Sequence, residues 1–113
     1  MMMDPLKQEG AMPAYFIIDL DIHDAAGFQE YRRRVDRMIE KYHGRYLVAA
    51  ATVEVLEGHW QPERLTVIEF PSKARAREFY DSKEFRDIVH FRLNSAETNL
   101  VLVEGLAGRV EAG

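Results

Sequence analysis

Few residues in this chain could do chemistry, and the first to stand out is an arginine in apolar company. Arg92 lies seven residues after Phe85, between Val89 and Ala96, inside the apolar stripe of a helical pattern. A guanidinium keeps its proton in a protein, so at such a position something anionic should meet it. Two readings follow: a buried ion pair with one of Asp19, Asp21 or Glu69, or an anchor for an acidic group on a ligand. Glu69 raises the same question from inside the otherwise apolar run "LTVIEF". Tyr15, Tyr31 and Tyr80 could bring hydroxyls to a pocket, although an aromatic at helical spacing is more often core with a wet tip. Trp60, the only tryptophan, falls in a turn, where it either closes a pocket mouth or staples the hairpin to a partner. With Asp21 and Arg64, the ligand-binding candidates are Arg92, Glu69, Tyr80, Tyr15, Asp21, Trp60 and Arg64.

Other chemistries find no support. The chain has no cysteine, which removes disulfides, a thiolate nucleophile and cysteine-bound zinc. Its four histidines, His23, His43, His59 and His90, are far apart and never at i,i+4 spacing, so a metal site would have to be assembled by the fold, and none is expected. There is no Gly-x-Ser-x-Gly elbow, Walker loop or Gly-x-Gly-x-x-Gly turn, and no cofactor is expected. A net charge of −4 argues against a nucleic-acid surface. The one basic cluster, Arg32, Arg33, Arg34 and Arg37, is interleaved with acids as Glu30/Arg34 and Arg32/Asp36, and reads as a solvated helix face.

The elements that must position these residues are legible from periodicity. The 113 residues suffice for one core, expected over residues 14–105. "MMMDPLKQEGAMP", residues 1–13, has no basic segment followed by a long apolar run, so it reads as a disordered leader rather than a signal peptide or membrane anchor. Residues 106–113 read as a loose tail. Alternation makes Ala14 to Ile22 a strand, with Phe16, Ile18, Leu20 and Ile22 on one face and Tyr15, Ile17, Asp19 and Asp21 on the other. Asp24 is an N-cap, and Phe28, Tyr31, Val35, Met38, Ile39 and Tyr42 make a helical stripe that Gly44 should end in a left-handed conformation. Strand two runs from Arg45 to about Thr52, with "VEVLEG" a candidate second extended piece. Strand three is Arg64 to Phe70. Ser72 caps a helix burying Ala76, Phe79 and Tyr80, and Ser82 caps a second with the stripe Phe85, Ile88, Val89, Leu93 and Ala96. Asn99 to Gly105 is strand four.

That order predicts an α+β, ferredoxin-like βαββαβ sandwich: an antiparallel four-stranded sheet with its helices on one face. Yet the stretch from Gly44 to Ser72 and the run Leu100 to Val103 are apolar toward both faces. The second face needs a cover, and the most economical one is an identical sheet, which predicts a homodimer.

At "GRYL", "VEVLEG", Trp60, Arg64, "EFPS" and "FYDSKEF" the sequence resembles the DUF1330 family, within the dimeric α+β barrel superfamily, from about Ala14 to Gly105. The resemblance implies the same fold and dimer and no established activity. Relatives by fold include cofactor-independent monooxygenases, muconolactone isomerase and ligand-sensing domains, an analogy that says little about chemistry. The chain departs from the family at Val48 to Thr52, where Ala-Arg-Gly-Gly is frequent, at Lys83 in place of proline, and at His43 in place of a small residue.

Two functions compete. One is a small cytoplasmic dimer, not bound to membrane or nucleic acid, that binds or transforms a small organic molecule. That molecule is acidic if Arg92 holds it, with Tyr80, Tyr15 and Glu69 as polar contacts or acid–base groups. Were it an enzyme, a cofactor-independent isomerase or monooxygenase fits best. The other is a non-enzymatic sensor or interaction module with a sealed core.

Overall fold

A computed structural model describes residues 12–106, so most of the expected leader and tail lies outside the described residues. Strand β1 (Ala14–Ile22) buries Ala14, Phe16, Ile18 and Leu20 and turns Tyr15, Ile17 and Asp19 to its other face, as the alternation requires. The Asp24 carboxylate accepts from the Gly27 amide at 3.1 Å and starts helix α1 (Ala25–Lys41), whose stripe buries Phe28, Tyr31, Val35 and Ile39.

The end of α1 corrects one expectation. Gly44 N–H donates to the Ile39 carbonyl at 2.8 Å and His43 N–H to the Glu40 carbonyl at 2.9 Å, the paired bonds of a Schellman turn. The left-handed residue of that turn is His43, with φ 68°, one position earlier than predicted. Gly44 is needed for closeness instead: a Cβ there would lie 2.6 Å from Cε1 of Phe70.

Strand β2 (Arg45–Ala51) is an edge strand with two register shifts against β3 (Arg64–Phe70). Ala50 is left-handed, φ 45°, with its amide on Thr66 Oγ1 and its carbonyl accepting from Arg64. The candidate extended piece in "VEVLEG" is not a strand: residues 52–63 form an irregular connection. Ser72 and Ser82 cap α2 (Lys73–Asp81) and α3 (Lys83–Leu93) by accepting from Arg75 and Phe85 amides. Strand β4 (Ala96–Glu104) starts three residues before the predicted Asn99. The reason is Ser95, whose carbonyl accepts from the amides of His23 and Asp24 and so fixes Ala96 opposite Ile22. Ala96 thus belongs to the sheet, and Leu93 is exposed rather than part of the stripe.

The sheet is antiparallel in the order β2-β3-β1-β4, with the helices on one face, as the ferredoxin-like reading predicts. Between them lies an aromatic core: Phe70 stacks on Phe79 at 5.4 Å and meets Phe16 edge-on at 5.6 Å, while Phe79 contacts Phe85 at 4.8 Å. The other face is bare. Val101 is 54% exposed, Leu47 47% and Val103 40%, with Ile17, Leu65 and Val67 half-buried among them.

Candidate functional site

Cross-strand pairing decides which candidates can meet, because directly opposed residues share a face. Tyr15 stands opposite Glu69, and Glu69 opposite Arg45. On the bare face these make one cluster: the buried Glu69 carboxylate accepts from Arg45 Nε at 2.7 Å and from the Tyr15 hydroxyl at 3.2 Å. Farther along the same face, Trp60 Nε1 donates to Asp19 Oδ2 at 2.9 Å, stapling the 52–63 connection across β1, while its ring stays 60% exposed. Asp21 follows on that face, exposed, and Arg64 is committed to the Ala50 carbonyl.

Arg92 belongs to the opposite layer. It is buried with Phe85 and Ile88 on α3, so the three acids proposed as its partners lie across the sheet from it, and it pairs with none of them. Its guanidinium carbon sits 5.5 Å from the centre of the Tyr31 ring, and Nε has no hydrogen-bond partner among the described residues. Burial raises the Tyr31 hydroxyl above its ordinary titration range, and Arg92 pulls in the opposite direction. Tyr46 is raised as well, first by burial and then by the 2.8 Å hydrogen bond it donates to Asp36.

On the helix side, Phe16 of β1, Leu100 and Leu102 of β4, and Arg77 and Tyr80 of α2 surround a cleft of about 210 Å³. The pairing of Phe16 with Leu102 and of Ile18 with Leu100 makes its floor hydrocarbon. The Tyr80 ring is braced by Phe16 at 6.0 Å and Phe85 at 5.5 Å, and its hydroxyl makes no hydrogen bond to a described residue. Arg77 sits three residues earlier on the same helix face, its Nη2 3.0 Å from Asp81 Oδ2. Of the sequence candidates, this cleft holds Tyr80 alone. Arg77 was missed because an exposed arginine on an amphipathic helix resembles any solvated cation; its i,i+3 spacing to Tyr80 was the available signal.

The basic run on α1 is a solvated face as read. Glu30 pairs with Arg33 and Arg34, which hold its carboxyl below the ordinary range, and Arg32 pairs with Asp36 at 3.2 Å. Among the described residues no helix is long and apolar enough to cross a membrane, and no three metal-binding side chains gather.

Comparison with known proteins places the fold. The chain is similar to a crystal structure of a protein of unknown function from Rhodopseudomonas palustris, at 18% identity and TM-score 0.70, covering 88% of this chain and 85% of that one. A methylated form of that protein gives 16% identity and TM-score 0.71 over 89% and 87% of the two chains. A hypothetical Arabidopsis thaliana protein, solved in solution, gives 12% identity and TM-score 0.58 over 91% and 96%. No curated protein matches. The DUF1330 domain of unknown function matches residues 13–106, nearly the whole folded chain carrying the cleft and the bare sheet, and the chain belongs to that family.

Proposed function

We propose that this protein is a small-molecule binder whose ligand lies in the cleft between α2 and the β1–β4 edge of the sheet. The observation that carries this reading is the Tyr80 hydroxyl, without a hydrogen bond among the described residues, beside a hydrocarbon floor of Phe16, Leu100 and Leu102. One oriented polar group over apolar walls is the ordinary design of a small-molecule site. At about 210 Å³ the cleft is below the ~300–1,000 Å³ of drug-sized sites, which suits a single ring or short chain. Tyr15 and Glu69, on the other sheet face, take no part. A protein-observed NMR screen with neutral one-ring compounds should move Tyr80, Leu100 and Leu102, and Leu102→Trp, which fills the cleft, should abolish the shifts. Shifts confined to other residues, or none, would overturn the reading.

A second reading concerns the bare face and is supported by its exposed Val101, Val103 and Leu47. We propose that it is covered by a second copy of the chain in a two-fold, sheet-to-sheet homodimer burying more than about 1,000 Å², as a cytoplasmic assembly. Sedimentation at micromolar concentration should give twice the chain mass; monomer alone would refute it.

A further inference from the structure

Resting on the reading of the cleft as a small-molecule site, we infer that its ligand is a monocarboxylic acid with a compact apolar body, held by Arg77 after exchange with Asp81. The floor selects the body, because a polar group set against Phe16, Leu100 or Leu102 would lose water without gaining a partner. The mouth selects the charge. Its two polar groups are a guanidinium and a phenol, both donors, and a carboxylate accepts from both at once.

Arg77 already has a carboxylate partner, Asp81, at 3.0 and 3.4 Å. That pairing would use up its charge were Asp81 not shared. Arg86 of α3 reaches the same carboxylate, Nη2 to Oδ1 at 3.6 Å. Two guanidinium charges against one carboxylate leave one positive charge over, enough for a monoanion and insufficient for a dianion. When a ligand takes Arg77, Asp81 keeps Arg86, so the exchange orphans no acid. Without Arg86 the exchange would leave Asp81 alone at the C-terminal end of α2, where the helix dipole disfavours a negative charge. Because the Arg77 side chain is 60% exposed, the preference for an anion is that of a solvated ion pair, about fivefold in affinity and sensitive to salt.

Benzoate and benzamide, equal in shape and different in charge, test this by NMR titration of the full chain. Both should shift Tyr80, Leu100 and Leu102, with benzoate about fivefold tighter at low ionic strength and the gap shrinking as salt is added. Arg77→Gln should close the gap, benzoate losing more affinity than benzamide, and Asp81→Asn should widen it. Equal affinities in the wild type, or a gap that survives Arg77→Gln, would overturn the acid class and leave the cleft a site for neutral molecules. If neither probe moves those three residues while a neutral screen does, the acid class fails alone. If nothing moves them, the cleft reading fails too.

Discussion

Replacing Arg92 with methionine separates two physical accounts of a buried cation. Methionine keeps the unbranched stem, so most of the hydrocarbon packing of Arg92 against α1 is retained. The contact with Tyr31 at 5.5 Å is lost, a term of about 0.5–2 kcal/mol. Against it stands Nε, buried without a hydrogen-bond partner among the described residues, whose removal returns about 1–3 kcal/mol. No carboxylate is orphaned, because Glu69 is held by Arg45 and Tyr15 and Asp19 by Trp60. At their midpoints the terms leave the variant more stable by about 1 kcal/mol, and at their extremes they span about 1 kcal/mol less stable to about 2.5 kcal/mol more stable. The assay is urea unfolding at pH 7, comparing midpoints at equal slope, since a changed slope would mean a changed denatured state. A loss of about 3 kcal/mol or more is the signature of a buried acid left alone. That result would refute the assignment of Arg92 as a cation without a carboxylate partner.

Three more outcomes follow from the same geometry. Gly44→Ala should destabilise by about 2 kcal/mol, as its Cβ meets Phe70 at 2.6 Å and Ile39 at 2.9 Å, whereas His43→Gly should stabilise by about 0.5–1 kcal/mol by relieving a left-handed residue; thermal midpoints moving the same way for both would contradict this. Stability should fall with alkaline pH. Tyr31 and Tyr46 titrate above their ordinary values when folded, so above about pH 10 the unfolded chain releases protons that the folded one keeps, and each tyrosine removes up to about 1.4 kcal/mol per pH unit. Denaturant midpoints from pH 8 to 10.5 should show the decline, and Tyr46→Phe should flatten it. Val101→Asp should convert the proposed dimer to a folded monomer in sedimentation, with unchanged circular dichroism; a dimer that survives would mean the covered face is another one.

The parts of the fold written in local chemistry were legible. Asp24, Ser72 and Ser82 were identified as caps by residue type and each caps its helix, and β1 announced its two faces by alternation. Local preference misled where a close approach overrode it, as at Gly44, whose missing side chain makes room for Phe70 while His43 takes the turn. The start of β4 was obscured because Ala96 and Glu97 are weak strand formers, and what fixes them is the reach of the His23 and Asp24 amides to Ser95. Sequence identified Arg92 as anomalous, and alternation already set Asp19 and Asp21 on the face away from Phe16 and Ile18; the side taken by Glu69 was a matter of register between distant strands. Arg77 gave no anomaly at all, since its role depends on which strand lies beneath α2.

The 2.7 Å hydrogen bond from Gly105 N–H to the Pro13 carbonyl has a consequence for chain connectivity. It brings the outer ends of β1 and β4 within one residue's reach, while residues 52–63 form a long, exposed, irregular connection between β2 and β3. A permuted chain that joins Gly105 to Pro13 through a short glycine linker and begins inside residues 52–63 would keep every strand partner. Its order of contacts would change, however. Phe16 and Leu102, now brought together only by closing almost the entire chain, would face each other across a hairpin, while β2 and β3, now neighbours in sequence, would become the pair that needs the longest closure. The same sheet would then be closed last at its β2–β3 edge instead of at β1–β4.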